Sequence, residues 1–384
     1  MTTIVNTELQ TPPMPSRQLP KLARIVVKVG SAVIAGDGNV RPEIFASLAN
    51  DVADVRARGI DVVLVVSGAV ALGYRGCGFA TVPSDVVQRQ AAASVGQPKL
   101  MAALDHHLGQ HGIATAQLLM SADDIENRRR FLSARHTLQA LLAAGVVPVI
   151  NENDALSDDE TKVGDNDHLA ALTTSVASAD LLVLLSRVAG LYRNGDGEII
   201  REISIDAPLA NHINDSLSDT GVGGMKAKVS AAQIAARWGV PTIIADGTTS
   251  GTLQRLLNNE PVGTYFAPNT RKLDARKQWI AVRSRSRGSV WVDVGAQTAV
   301  AQRGASLLAK GITQVHGDFT IGARIEVCDA EGQPFALGLA SYSADEMRRV
   351  AGHKAHEIQD ILGYVYVDEM VHRDDMVLLQ QAAT

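Results

Sequence analysis

The chain has 384 residues, 46% hydrophobic and 20% charged, with a formal net charge of -5. That length exceeds one ordinary core and predicts two domains. The net acidity excludes a global field of the kind that attracts nucleic acid, and an aromatic content of 4% argues against a large base-stacking surface.

Met1 to Pro20 is polar, carries four prolines and lacks the zones of a signal peptide, so it reads as a flexible tail. Residues 21–268 then alternate two textures. Short β-branched apolar runs occur at Arg24 to Val29, Asp61 to Val66, Gly145 to Ile150, Leu181 to Leu185 and Val240 to Ala245. Between them lie helical-period stretches at Arg41 to Arg58, Ser84 to His111, Arg129 to Ala144, His168 to Ala177 and Lys226 to Trp238. Strands apolar on both faces belong in a parallel sheet covered by helices. The fold class expected is therefore α/β, a doubly wound and mainly parallel sheet. Residues 269–287, rich in Lys and Arg, read as a linker. Residues 288–367 carry short strands (Ser289 to Val294, Ile321 to Cys328, Ala336 to Ser341) and glycine turns, a small β-rich second domain. Residues 368–384 are expected to be a tail or an added helix.

Ligands of an open parallel sheet bind beyond the carboxyl ends of its strands, so the residues after each run matter most. The first run ends in Lys28-Val29-Gly30-Ser31. This fits a phosphate-approach loop or a surface lysine beside a turn glycine about equally well. The second is followed by Ser67-Gly68-Ala69, either an ordinary helix cap or a set of N–H groups facing an anion. The third leads into Asn151-Glu152-Asn153-Asp154, an accumulation of polar groups that points to a ligand. Lys162-Val163-Gly164-Asp165-Asn166-Asp167 opens the next helix with more acids than capping requires. Ser186 and Arg187 follow the fourth run. Gly221-Val222-Gly223-Gly224-Met225-Lys226-Ala227-Lys228 feeds a helix and suits a phosphate cradle, although it matches neither a Walker A loop nor a dinucleotide fingerprint. No metal set is expected. His106, His107 and His111 read as a solvated helix face, and the arginines at 128–130 as solvated surface. Cys77 and Cys328 are too few for a disulfide framework and predict reduced thiols in a cytoplasmic protein. No apolar run reaches the ~18 residues of a membrane span.

Taken in order, these stretches resemble the amino acid kinase family, in the branch that phosphorylates the side-chain carboxylate of glutamate. Arg130-Phe131-Leu132 adds to the likeness. Arg303-Gly304-Ala305-Ser306-Leu307-Leu308 and Lys310-Gly311-Ile312 resemble a PUA domain. The resemblance implies ATP as co-substrate, Mg2+ bridging its phosphates, and L-glutamyl 5-phosphate as the first product of proline synthesis. It assigns Lys28 and Lys228 to the phosphates and the transferred group, with Asp167 holding both lysines. Ser67, Gly68, Ala69, Asp154, Asp165 and Asn166 fall to glutamate. Gly30, Ser186, Arg187 and the run Val222, Gly223, Gly224, Met225, Lys226, Ala227 and Lys228 fall to the nucleotide. Feedback inhibition by proline, a homo-oligomer and delivery of product to a reductase are implied as well. The chain departs from the family pattern at Arg187, where an acidic residue is usual, and mildly at Ser31, where threonine is common. A backbone contact to nucleotide survives the change at Arg187 and a side-chain contact does not.

Two other readings stand beside this one. Another member of the same family (an acetylglutamate kinase, an aspartokinase or a uridylate kinase) is disfavoured by the PUA-like region. An RNA-binding protein would use Arg283, Arg285 and Arg287, which alternate with serines, but the net acidity and scarce aromatics favour the kinase.

Overall fold

The structure, a computed structural model, describes residues 19–36, 39–156, 165–193, 197–204, 222–268 and 286–379. Within the first domain the strands are β1 (Arg24–Val29), the short pair β2 (Ala35–Gly36) and β3 (Asn39–Val40), β4 (Asp61–Val66), β5 (Thr115–Met120), β6 (Val147–Glu152), β7 (Leu181–Ser186), β8 (Glu202–Ser204), β9 (Thr242–Asp246) and β10 (Thr264–Ala267). Its helices are α1 (Ser31–Ile34), α2 (Pro42–Ala57), α3 (Ala69–Gly73), α4 (Val86–Gly109), α5 (Ala122–Glu126), α6 (Arg128–Ala143), α7 (Asp165–Ala177), α8 (Val222–Ala236) and α9 (Thr252–Leu257).

Eight of the strands form one sheet in the order β5-β6-β4-β1-β7-β9-β10-β8. Pairing is parallel from β5 through β9, antiparallel between β9 and β10, and parallel again between β10 and β8. The five runs expected as strands are the interior ones. The strands that the hydrophobic pattern did not announce, β5, β8 and β10, lie toward the two edges.

Successive side chains of a strand face opposite sides of the sheet, and that alternation sorts the core into two layers. Ile25, Val27 and Val29 of β1 pack with Phe45, Leu48 and Val52 of α2 and Leu100 and Leu104 of α4. Val26 packs on the other side with Leu169 and Ala170 of α7 and Met225 and Val229 of α8. Lys28 has the parity of Val26. The same alternation that hides Val26 therefore sends the lysine toward the α7–α8 layer, at the carboxyl end of the strand.

The second domain opens with β11 (Gly288–Val292), followed by a helix at Val294–Arg303, β12 (Leu307–Leu308), β13 (Ile312–Gly317), β14 (Arg324–Cys328) and β15 (Pro334–Leu339). Residues 368–384, expected to be a tail or helix, instead supply β16 (Glu369–Val371), paired with β12, and β17 (Met376–Leu378), paired with β15. Met370 and Val371 are fully buried in this domain's core, which accounts for the ordering. The two domains also meet: Arg135 of α6, 2% exposed, donates to Asp375 at 2.5 Å.

Candidate functional site

Four strand ends build one edge of the sheet. The turn after β1 is tied to its neighbours on both sides, since Gly30 N–H donates to Leu185 of β7 and Ser67 N–H donates to Val29, each at 3.1 Å. Gly68 holds φ +113°, a left-handed conformation that favours glycine, and faces Ser31. Ser67-Gly68 and the β1 turn thus form one continuous floor. Behind it, Ala69 is buried and α3 begins.

Lys28 and Asp167 are both buried, and Lys28 Nζ lies 2.7 Å from Asp167 Oδ1. Lys228 Nζ lies 3.0 Å from Asp167 Oδ2 and also donates to the Gly224 carbonyl at 3.3 Å. One carboxylate, 2% exposed, thereby holds two ammonium groups from points 200 residues apart in sequence. Burial pulls the Lys28 pKa below its usual value; Asp167 opposes that pull and Lys228 adds to it. Two cations sharing one anion leave this trio with one net positive charge, the complement of a phosphate group.

Asn166, the residue before Asp167, faces the end of β6. Its Nδ2 donates to Asn151 Oδ1 at 3.1 Å, and its Oδ1 accepts from Glu152 N–H at 3.3 Å. Asn151 and Glu152 are buried although polar, and the same Glu152 N–H donates to Asn151 Oδ1 at 2.9 Å. Asp154 follows one turn later and is half-buried.

The nucleotide-side residues are more dispersed. Ser186 ends β7, and its hydroxyl stays local, exchanging hydrogen bonds with Val188 N–H and C=O at 3.3 Å. Arg187 is exposed and Met225 is buried against the core of its layer. Gly224 and Lys226 are exposed at the start of α8, and Ala227 is half-buried there. Val222 and Gly223 form the first residues of α8. Asp165 is placed only as the first residue of α7. The stretches Lys162 to Gly164 and Arg271 to Arg285 lie outside the described residues. Sequence reasoning missed Gln97, Gln117, Arg135 and Asp375, whose partners all lie far away in the chain.

Among the described residues no group of three or more His, Cys, Asp or Glu side chains is disposed to hold a metal ion. Both oxygens of Asp167 are taken by lysines. These groups do not fit a resident metal, whereas they do fit the phosphates that a metal would accompany.

A mainly parallel sheet covered by helices places the chain in the α/β class, and the two lysines that meet one buried acid at its carboxyl edge offer positive charge suited to a phosphoryl group. Residues 23–246 match the model of the amino acid kinase family, and residues 288–362 match that of the PUA domain. Glutamate 5-kinase of Trichlorobacter lovleyi is 46% identical over 94% of this chain and 98% of its own length. Glutamate 5-kinase of Syntrophotalea carbinolica is 45% identical over the same shares, and that of Anaeromyxobacter dehalogenans 44%. The chain belongs to the amino acid kinase family and carries a PUA domain after the kinase domain.

Proposed function

We propose that this chain transfers the γ-phosphoryl group of ATP to the side-chain carboxylate of L-glutamate, giving L-glutamyl 5-phosphate for proline synthesis. The curated relatives that match along nearly the whole chain are glutamate 5-kinases. The structural observation that carries the proposal is the sharing of Asp167 by Lys28 and Lys228.

The chemistry suits such a site. A glutamate side chain has a reference pKa of ~4.3 and is ionised near neutrality, so no general base is required. The barrier lies in bringing one anion in line with a polyanion, and positioned positive charge lowers it. Lys28 and Lys228 would neutralise the transferring group and Asp167 would keep the lysines together. Ser67, Gly68, Ala69, Asp154, Asp165 and Asn166 would hold glutamate, Asp154 being suited to its ammonium. Gly30, Ser186, Arg187 and residues 222–228 would line the nucleotide. Mg2+ would arrive with ATP and supply charge between its phosphates.

Feedback by proline at the glutamate site, assembly of identical subunits and delivery of product to a reductase complete the reading, with the cytoplasm as its setting. Self-association is supported by β5 being the outermost strand on its side of the sheet among the described residues, with Leu119 exposed on it. No helix among the described residues is long and apolar enough to cross a membrane.

The test is an ADP-release assay with Mg2+ and ATP across glutamate, N-acetylglutamate, aspartate and UMP, with hydroxylamine present to trap an acyl phosphate. Glutamate alone should yield hydroxamate, and proline should suppress it. ADP release with another acceptor and no glutamyl hydroxamate would refute the proposal.

A further inference from the structure

A line of side-chain amides leads from the proposed glutamate site into the body of the domain. Asn166 Nδ2 donates to Asn151 Oδ1 at 3.1 Å, and Asn151 Nδ2 donates to Gln97 Oε1 at 2.7 Å. Gln97 Nε2 in turn donates to Gln117 Oε1 at 3.0 Å. Gln97 sits on α4 and is 9% exposed; Gln117 lies exposed on the edge strand β5.

An amide offers a donor at one end and an acceptor at the other, so such a line runs in one of two senses. Here the sense is set by a group that cannot turn. The backbone N–H of Glu152 is a donor and meets Asn151 Oδ1 at 2.9 Å. Asn151 must therefore direct Nδ2 away from β6, and an acceptor must wait there. Gln97 Oε1 is that acceptor. With Asn151 held so, its Oδ1 takes one N–H of Asn166, which leaves Asn166 a second N–H for a ligand oxygen.

The same turn of α4 also packs against α3. Gly96 packs so tightly on α3 that a Cβ there would come within 1.8 Å of the Ala69 carbonyl oxygen, directly behind Ser67-Gly68.

We infer that Gln97 is a positioning residue for the acceptor substrate: it accepts the Asn151 N–H that the Glu152 N–H turns away from β6, and so helps to hold Asn151 Oδ1 where Asn166 meets it. The inference rests on the reading of Asn166 as a glutamate-binding residue. Gln97→Met keeps the length of the side chain and removes its acceptor. Loss of one buried hydrogen bond that leaves a donor unsatisfied predicts a KM for glutamate raised ~10-fold, with the KM for ATP changed less than ~2-fold. Gln97→Glu keeps an oxygen facing Asn151 and should restore the glutamate KM to within ~3-fold, because Gln117 can turn an N–H toward it. Where Gln97→Met fails to fold, Gln97→Asn withdraws the acceptor by one methylene and should raise the same KM. In an Asn151→Ala background, Gln97→Met should have no further effect on that KM.

An equal rise in both KM values, a fall in kcat alone, or no rescue by Gln97→Glu overturns the inference. Asp154→Asn, measured in parallel, separates the two failures. If it raises the glutamate KM and Gln97→Met does not, the amide line is wrong and the site reading stands. If neither variant does, the site reading itself fails.

Discussion

Replacing Asp167 by Asn keeps the shape of the side chain and removes the charge shared by two lysines. The separations are 2.7 Å to Lys28 and 3.0 Å to Lys228. At an effective dielectric constant of ~20, each contact is worth about 6 kcal/mol of Coulomb attraction before desolvation is set against it. In the variant the two ammonium groups lose the anion between them. Burial and Lys228 both depress the Lys28 pKa, and the opposing influence of Asp167 disappears. Lys28 should then surrender its proton more readily, and a neutral amine cannot offset phosphoryl charge. We expect kcat to fall by ~10^2 to 10^3, the scale for losing one positioned electrostatic contact. The glutamate KM should move by less than ~3-fold, since Asn166 faces the other way. The sign of the pH dependence follows from the lysine: lowering the pH restores its proton, so the variant's activity should recover toward acid relative to that of the unmodified enzyme. The assay is steady-state ADP release from about pH 5.5 to 9, with kcat and both KM values resolved at each point. Turnover within ~3-fold of the unmodified enzyme at neutral pH, or relative activity that declines toward acid, would refute the reasoning.

Three further outcomes are expected. Asp51, 6% exposed and accepting Leu253 N–H at 3.1 Å, has its pKa raised by burial from 3.8 to about 6. Its folded-state pKa is the higher one, so the stability it contributes is complete below the unfolded pKa and is lost as the pH climbs through about 6. That loss amounts to at most about 3 kcal/mol, less where solvent screens the carboxylate, and Asp51→Asn should abolish it in urea titrations at several pH values. Gly96→Ala or Gly73→Ala would place a Cβ 1.8 Å from a facing carbonyl oxygen, which should cost ~3 kcal/mol or more, and unfolding curves matching those of the unmodified enzyme would contradict the packing. Asp375→Ala leaves Arg135 buried without its carboxylate and should destabilise by about 3–5 kcal/mol, while Arg135→Met combined with Asp375→Leu should cost less; equal losses would show that the pair matters only as bulk.

What could be read in advance follows from where each element sits. The interior strands β1, β4, β6, β7 and β9 are covered on both faces, so they are unbroken apolar runs and stand out. β5 lies at the sheet edge, and Gln117 and Leu119 are exposed along it, which breaks the run. β16 and β17 are three residues each, too short for any period, and are strands because β12 and β15 pair with them. The same distinction holds within the site. Ser67 and Asp154 follow apolar runs, Asp167 lies in the first turn of α7, Lys28 interrupts the apolar run of β1 near its end and Lys228 follows a glycine-rich stretch, positions where chemistry is visible in one dimension. That Asp167 touches both lysines depends on strand parity and on α7 and α8 sharing a layer, and the family resemblance anticipated it where the local pattern did not. Gln97 and Arg135 look like ordinary solvent-facing residues of long helices. Only their partners, at 54 and 240 residues' separation, reveal them.

Substrate and nucleotide would meet across the first turn of α7. Consecutive helical residues project about 100° apart, so Asn166 and Asp167 cannot serve the same neighbour. Asn166 turns to Asn151 and Glu152 at the end of β6, and Asp167 turns to Lys28 at the end of β1 and to Lys228 of α8. Only β4 separates β6 from β1 in the sheet, so the two strand ends stand roughly 10 Å apart at normal strand spacing. That gap suits an acceptor carboxylate and a terminal phosphoryl group approaching from opposite sides, with the Ser67-Gly68 turn after β4 as the floor between them. The arrangement makes the two residues separable by kinetics. Changes at Asn166 should register in the glutamate KM and changes at Asp167 in kcat. A one-residue slip in the register of α7 would put Asn166 between the lysines and Asp165 toward β6, placing an uncharged amide where the charge is needed and an acid against the carboxylate that must be phosphorylated.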